Sequence, residues 1–433
     1  MRTTVSLLSL TLAAALLAPA ARAAEVIVFR GATVVPIAGA PIPKGTVVVE
    51  DGKIRSVGAV EAVAVPAGAK VVDLAGKVLL PGLVDTHSHL GGGDGADSSA
   101  PLQPDDRIMD AIDPRSDTFM KARSGGITTV NVMPGSGHLM SGQTVYLKLR
   151  RNPRTIDDLL TCRNPLTEIC GGMKMANGTN SIKDAPFPGT RSKAAALVRS
   201  MFVKARQYRD KMQKAKGDPK KLPDRDLQME ALVEILDGRR QVHFHTHKAE
   251  DALTAIRLGK EFGFRPVLHH VSEAWKIPGE LAAAGVPCSI ITLDSPGGKL
   301  ETVELRMENG AALEKAGVAV AYHTDDPITD SRLFLRSAAM GVRAGMSRQK
   351  ALEALTLTGA KMLGLEKRVG SLEVGKDADL VVLSGDPFSV YTHVEQTWVE
   401  GKKVFDRADP ADRKFATGGY EVYRGELFEE DLK

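Results

Sequence analysis

The residues best suited to chemistry begin with two histidines in the run Val84-Asp85-Thr86-His87-Ser88-His89. If this run is a strand, His87 and His89 point to the same face, because side chains alternate along an extended chain. Two neutral imidazoles on one face can chelate a transition-metal ion. The pair alone is ambiguous, because two incidental histidines would give the same spacing.

Most of the other histidines lie on further apolar segments that are expected to be strands. They are His243, His245, His247, His269, His270 and His323. Lys174 lies in another such segment, where a buried lysine near histidines needs a physical reason. Asp325 follows His323 by two positions, so it shares that face and lies nearer the strand end. Random scatter does not produce this grouping, and the set predicts a metal-dependent catalytic site.

The elements that must position these residues alternate between strand and helix from about Pro81 to Leu365. The predicted strands are Leu83–His89, Thr128–Val132, Gln143–Leu149, Gly172–Ala176, Val242–His247, Val267–Val271, Pro287–Ile291 and Val318–Thr324. The predicted helices are Asp117–Ser124, Ser192–Gln213, Asp226–Leu236, Ala249–Phe262, Ala274–Ala284, Ala311–Lys315 and Arg348–Leu363. Eight parallel strands with intervening helices predict an α/β fold, the (β/α)₈ TIM barrel, with its site at the C-terminal strand ends.

The two flanks of the barrel segment have a different pattern, with short strands and turns. Asp51-Gly52 and Glu400-Gly401 each separate two apolar-rich runs, as hairpin turns do. We therefore expect one small composite β-sandwich domain built from both ends of the chain. The expected boundaries are residues 24–80 for its first part, 81–366 for the barrel, and 367–433 for its second part and a tail.

The N-terminus resembles a secretory signal peptide over residues 1–23. Arg2 precedes the apolar run Val5 to Leu17, and Ala21-Arg22-Ala23 fits a cleavage site. A retained membrane anchor is less favoured, because this run is short for about 30 Å of hydrocarbon. We therefore expect a periplasmic or secreted protein that is free of the membrane after cleavage. Cys162 and Cys170 could form a disulfide there or remain free thiols.

Two long motifs give the chain a resemblance to a known family. The stretch Gly76–His89 resembles the entry to the first strand in the amidohydrolase superfamily, and Gly370–Leu383 resembles its return to the β domain. The similarity is to its imidazolonepropionase-like and prolidase-like members in particular. The resemblance covers nearly all of the mature chain. It implies a metal site with a His-x-His pair, a carboxylated lysine, two further histidines and an aspartate. The corresponding residues are His87, His89, Lys174, His245, His270 and Asp325.

Some of these assignments leave alternatives. His269 and His270 are adjacent, so alternation allows only one of them to face inward, and the family pattern favours His270. His245 matches the family's ligand better than His247, which would then lie nearer the substrate. His138 and Asn177, in loops after the second and fourth predicted strands, are the other candidate substrate contacts.

The expected activity is hydrolysis of an amide, peptide or cyclic amide bond by a metal-activated water, with Asp325 as general base and then acid. The cofactor would be one or two divalent ions, with Zn²⁺ the first choice, although such ligands also suit Fe, Mn, Co and Ni. One alternative is a mononuclear deaminase or cyclic imidate hydrolase. Another is a non-catalytic binding or assembly protein on the same scaffold.

The expected substrate is a small molecule or a dipeptide-like compound, including dipeptides, N-acyl amino acids and related amides. The formal net charge of +4 on 433 residues gives no reason to expect nucleic acid as a partner. A homo-oligomer is left open by the sequence.

Overall fold

The computed structural model describes residues 25–93, 97–292 and 299–418. The predicted signal peptide, residues 1–23, and the last part of the predicted tail lie outside these residues. Among the helices in the described ranges, none has the length and apolar character that crossing a bilayer requires.

The described strands fall into a terminal group and a central group. The terminal group begins with β1 (Val26–Val34), β2 (Ile42–Glu50), β3 (Lys53–Ala59), β4 (Lys70–Asp73) and β5 (Val78–Pro81). The central group is β6 (Leu83–Ser88), β7 (Ile127–Val132), β8 (Met140–Gln143), β9 (Val145–Lys148), β10 (Met173–Ala176), β11 (Val242–Thr246), β12 (Val267–His270), β13 (Cys288–Ile290) and β14 (Val320–Tyr322). The terminal group ends with β15 (Leu380–Leu383), β16 (Val394–Val399) and β17 (Lys402–Asp406).

Helices follow most of the central strands. They are α1 (Asp117–Ser124), α2 (Arg191–Ala215), α3 (Leu227–Leu236), α4 (Ala249–Phe262), α5 (Pro278–Ala284), α6 (Asn309–Lys315), α7 (Phe334–Arg343), α8 (Arg348–Leu355), α9 (Leu357–Met362) and α10 (Pro410–Thr417). The predicted helix Arg348–Leu363 is divided at Thr356, whose φ of −138° and ψ of −93° are not helical. The helices α7 and α10 were not predicted.

The terminal strands from both ends of the chain share one sheet. Its order is β17-β16-β15-β5-β1-β2-β3, with β4 also paired to β1. Both predicted hairpin turns have positive φ at their two central residues, namely Asp51, Gly52, Glu400 and Gly401. Turns of this kind match the right-handed twist of the strands that they join. The segments before and after the central region are therefore parts of one sheet.

The central strands form a six-stranded sheet in the order β14-β13-β12-β11-β10-β8 and a three-stranded sheet in the order β6-β7-β9. Strands β10 to β14 pair in parallel, as do β6 and β7. The prediction that Gln143–Leu149 is a third parallel strand is wrong. The structure has β8 antiparallel to β10 and β9 antiparallel to β7. No helix between β7 and β9 returns the chain, as a parallel crossover requires.

The ends of the last and first central strands lie side by side. The amide of Asp325 donates to the carbonyl of His87 at 2.9 Å, and the amide of His89 donates to the carbonyl of Asp326 at 3.3 Å. This contact brings His87 and His89, at the end of β6, next to the acidic segment after β14. The C-terminal ends of these strands therefore meet in one place.

Of the two states that the sequence left open for Cys162 and Cys170, the structure has the disulfide. Cys162 and Cys170 form a disulfide, while Cys288 is a buried free thiol on β13. The disulfide closes a short loop between β9 and β10.

Candidate metal centre

A buried cluster of histidines lies where the central strands end. Within it, three trios of side chains each bring one potential ligand atom per residue within 4.8 Å of one another. The trios are His87, His270 and Asp325; His245, His247 and His270; and His87, His269 and His323. His87 and His270 each belong to two trios, so they are the centre of the cluster.

Asp325 lies between the two histidines of the His-x-His pair. Its Oδ1 is 3.2 Å from Nε2 of His87 and 3.0 Å from Nε2 of His89. Nδ1 of His89 donates to the carbonyl of Met133 at 2.8 Å, because a carbonyl can only accept. In the neutral ring, Nε2 then carries a lone pair that faces the carboxylate. Such a contact requires a cation between the two atoms, either a proton or a metal ion.

The backbone around these ligands is held in unusual conformations. Asp325, His270 and Val271 have φ of 52°, 69° and 37°. A non-glycine residue in such a region costs about 1–3 kcal/mol, which is typical of functional sites. The side chain of Asp85 joins the segment before Asp325 to β6, because it accepts from Thr324 Oγ1 at 2.5 Å and Thr324 N at 3.1 Å, and from the amide of His87 at 3.2 Å.

The charge states of the cluster favour metal binding. Burial lowers the pKa of His87, His245 and His270 well below the usual value, so the rings are neutral and offer lone pairs. Burial by itself would raise the pKa of Asp325, but the hydrogen bond to His89 and its charge bring that pKa below its usual value. Asp325 is therefore an anion at neutral pH.

Lys174 lies beside the first trio. Its Nζ is 3.0 Å from Nε2 of His87 and 3.0 Å from Sδ of Met133. Burial lowers the pKa of Lys174 to about 7. The side chain is fully buried, so a permanently charged ammonium would be poorly solvated there.

The trio of His245, His247 and His270 also fits a metal ion. The ring centroids are 4.4–4.9 Å apart. Within the described parts of the chain, no hydrogen-bond partner reaches Nδ1 of His245, Nε2 of His247 or Nε2 of His270, although all three atoms are buried. An unsatisfied buried polar group costs about 1–3 kcal/mol. A metal cation of soft to borderline character can be bound by several imidazole nitrogens together.

A second layer of polar side chains lies beneath the first. Tyr146 Oη is 2.8 Å from Nε2 of His243, and Nδ1 of His243 is 2.9 Å from Nε2 of His269. His323 lies 2.7 Å from Ser289 Oγ through Nδ1. The alternation of side chains indicated His243, but nothing in the sequence indicated Tyr146 as its partner.

The expectation that only one of His269 and His270 faces inward is wrong. Their ring centroids lie 5.1 Å and 4.9 Å from that of His87. Strict alternation ends here, because the positive φ of His270 takes the backbone out of the extended conformation.

The structure separates the three candidate substrate contacts. His138 is 3 % exposed, its ring packs against Phe187 at 5.0 Å, and neither ring nitrogen has a partner in the described ranges. Asn177 donates to the carbonyl of Asp251 at 2.8 Å, so part of its amide holds the loop to α4. His247 lies within the histidine cluster itself, in the trio with His245 and His270.

Comparison with known proteins identifies a family and a solved structure with a similar fold. The sequence model of the amidohydrolase family matches residues 78–405. The crystal structure of an amidohydrolase from Thermotoga maritima MSB8 is 36% identical, with a TM-score of 0.81, and the match covers 88% of this chain and 100% of that one.

Curated relatives include one much longer protein. The amidohydrolase tasK of Hapsidospora irregularis is 28% identical over 393 residues, which cover 84% of this chain and 40% of that protein. Two proteins of Symbiobacterium thermophilum match at more equal length. A 5-methylthioadenosine/S-adenosylhomocysteine deaminase is 24% identical, covering 84% of this chain and 86% of that protein. An imidazolonepropionase is 26% identical, covering 80% and 85%.

Proposed function

The chain belongs to the amidohydrolase family and has its mixed α/β, TIM-barrel-type fold, and on this premise we propose a metal-dependent hydrolase of amide, peptide or cyclic amide bonds. Membership makes it an enzyme that acts on amide-type carbon–nitrogen bonds. The observation that carries the proposal is the buried cluster of histidines beside Asp325, in which several imidazole nitrogens have no hydrogen-bond partner among the described residues.

The proposed ligands are His87, His89 and Asp325 together with Lys174, His245 and His270. A divalent ion at this site, with Zn²⁺ our first choice, would supply a Lewis acid that lowers the pKa of water and polarises the scissile carbonyl. The neutral rings and the anionic aspartate suit such an ion, because imidazole and carboxylate are its usual ligands.

Asp325 is the proposed proton carrier. Its pKa lies below the usual value, so it is ready to accept a proton from the attacking water at neutral pH. Its Oδ1 is close to both His87 and His89, which keeps the carboxylate in one place. The same oxygen then returns the proton to the leaving nitrogen.

Lys174 is proposed to carry a carboxyl group in the active enzyme. A lysine with a pKa of about 7 has a substantial neutral fraction, and only the neutral amine reacts with carbon dioxide. The product is an anion, which a buried site between neutral imidazoles and a cation would accommodate. The short contact between Nζ of Lys174 and His87 supports this role.

The substrate class follows from chemistry rather than from a bound ligand. Dipeptides, N-acyl amino acids and cyclic amides have the bond in question, and His138 is our candidate for a polar contact with them. We also propose export to the periplasm or the medium, which the disulfide between Cys162 and Cys170 supports. A closed eight-stranded barrel over residues 81–366 and a composite β-sandwich are the proposed domains.

The second candidate is deamination or cyclic imidate hydrolysis at a single ion. The similarity to a deaminase of Symbiobacterium thermophilum favours it, as does the compact set of His87, His89 and Asp325, which would hold one ion. A non-catalytic binding protein is disfavoured, because each expected ligand type is present.

The deciding experiment combines metal analysis with a substrate panel. Purified protein is loaded with Zn²⁺, freed of excess metal and analysed for ions per chain. It is then assayed against dipeptides, N-acyl amino acids, cyclic amides and aminopurines. We expect bound metal and release of an amine or acid from an acyl substrate. Turnover of aminopurines alone would select the deaminase, and protein that binds no divalent metal would overturn both candidates.

A further inference from the structure

His270 can offer only one nitrogen to a metal ion. Its Nδ1 faces Nε2 of His323 at 3.2 Å, so Nε2 is the atom left without a partner among the described residues. His270 nevertheless belongs both to the trio with His87 and Asp325 and to the trio with His245 and His247. One nitrogen lone pair binds one ion. The two trios therefore cannot each use His270 at the same time.

The first group of ligands is complete without His270. Asp325 is already within 3.2 Å of both His87 and His89, and Lys174 is beside His87. These residues provide three to four donors, which is the usual number for a bound zinc ion. The free nitrogen of His270 is then available to the second trio.

Without His247, the second trio keeps only two imidazoles, those of His245 and His270. The carboxyl group proposed on Lys174 would be shared with the first group, because Nζ of Lys174 lies beside His87. His247 is 5 % exposed, and its ring lies 4.7 Å from His245 and 4.9 Å from His270 between centroids. Three imidazoles with an open fourth position are a recognised zinc-binding arrangement.

The segment after β12 holds His247 in the orientation that a ligand needs. Ser272 Oγ is 2.8 Å from Nδ1 of His247, and Nε2 is buried with no partner among the residues that the structure describes. The amide of Glu273 donates to the carbonyl of His247 at 3.1 Å, and its carboxylate accepts from the amide of Ala249 at 3.2 Å. Ligating histidines are commonly oriented by a hydrogen bond to the other ring nitrogen.

We propose that His247 is a metal ligand that completes a three-histidine site with His245 and His270, and that Ser272 is a positioning residue for it. This inference rests on the proposed function, because it requires that the cluster binds a metal. It differs from a substrate-binding role for His247, in which metal content would not depend on this side chain.

The test measures bound metal rather than activity. Wild type, H247A and the matched control H393A, which removes an exposed histidine, are stripped of metal and titrated with Zn²⁺ and with Co²⁺. We expect H247A to hold about one ion fewer per chain than wild type and to lose part of the Co²⁺ absorption of a nitrogen-rich site. H393A should match wild type, and circular dichroism checks that each protein is folded.

The pair S272A and S272T tests the positioning role without removing a ligand. We expect S272A to weaken the affected ion roughly 10–100-fold, because loss of an orienting partner has that effect, and S272T to restore its affinity. This pair also decides the matter if H247A does not fold.

These measurements distinguish a failure of the inference about His247 from a failure of the proposed function. A wild type that binds no Zn²⁺ or Co²⁺ overturns the proposed function. Wild-type metal content and Co²⁺ spectrum in H247A, with or without a raised KM, overturn only the inference about His247. Unchanged affinity in S272A overturns the positioning role of Ser272.

Discussion

Two buried polar clusters of this protein differ in how completely they are paired. In the first, around Lys148 on β9, Nζ of Lys148 lies 2.5 Å from Asp379 and 3.1 Å from Asp377. Asp377 also pairs with Lys53 and Arg368. In the second, the candidate metal centre, several imidazole nitrogens are buried without a partner in the described chain. Because buried polar groups are normally satisfied, the first cluster is complete within the fold, whereas the second has the unpaired nitrogens that could bind an ion.

The position of the paired cluster explains its purpose. It joins β9 of the central region to the segment before β15 of the terminal sheet, and Arg150 extends it through two contacts of 2.7 Å and 2.8 Å to Glu400. The candidate metal centre instead lies where several central strands end. One cluster is an interface between regions, and the other is a site at the end of one region.

The largest effect is expected from D325N. Asparagine keeps the shape and one oxygen of the side chain but cannot carry the proton, so kcat should fall about 10²–10⁴-fold while metal content and thermal midpoint stay near wild type. Steady-state kinetics and metal analysis measure this. The control is D386N, at an exposed carboxylate. Activity of D325N close to that of wild type would contradict the proton role.

K148M is expected to lower the free energy of unfolding by an amount comparable to the loss in D325N, but without a direct effect on kcat. It leaves Asp377 and Asp379 buried without their shared cation, and breaking a buried pair costs about 3–5 kcal/mol. Urea unfolding measures the free energy. The matched control K350M removes one partner of an exposed pair with Glu353 and should cost less than about 1 kcal/mol. Equal losses of unfolding free energy in K148M and K350M would show that the Lys148 cluster does not stabilise the fold.

Removal of metal by a chelator should destabilise the wild type by about 3–4 kcal/mol. This estimate holds for free metal at 100 to 1,000 times the Kd, since a ligand of the native state adds stability by mass action. Unfolding with and without metal gives the difference. The same difference is expected in K148M, because the two clusters do not share residues. If chelation had no effect on either protein, the unpaired nitrogens would not be a metal site.

Acid should weaken the metal-free protein through the imidazole cluster first. Burial lowers the pKa of His243 to about 3, against a usual value near 6.5. The unfolded chain therefore takes up the proton first, so stability is complete above about pH 6.5 and falls toward pH 3, by up to about 1.4 kcal/mol per pH unit per group. In the paired cluster, burial would raise the pKa of Asp377, but Lys148, Lys53 and Arg368 bring it to about 2, so Asp377 keeps its charge to lower pH, whereas burial raises the pKa of Asp379.

The variant H243N isolates this contribution. Unfolding free energies of the metal-free proteins at pH 7 and pH 5 should differ less in H243N than in wild type, because one buried group that must stay neutral is gone. An equal dependence on pH in both proteins would assign the acid sensitivity to other groups.

Local sequence patterns predicted the features that depend on near neighbours. The turn at Asp51-Gly52 needs only two residues that accept positive φ, and His87 with His89 needs only the alternation of a strand. The longest helices also depend on local sequence patterns, and α4 was predicted with its observed bounds.

Features that depend on distant partners could not be predicted from the sequence. Lys148 and Asp379 are 231 positions apart, and nothing near either residue indicates the other. The direction of β9 depends on the path of the connecting segment. The inward turn of both His269 and His270 depends on a backbone conformation that their own side chains do not favour.

The terminal sheet has a consequence for the order of events during synthesis. Strand β5 pairs with β15 on one edge, and about 300 residues separate them in the chain. At roughly 5–20 residues per second, the edge of β5 waits about 15–60 s on the ribosome for its neighbour. An unpaired edge is a site for unwanted pairing with other chains. Only a chain translated through β17 can complete this sheet, so fragments that stop earlier should be prone to aggregate.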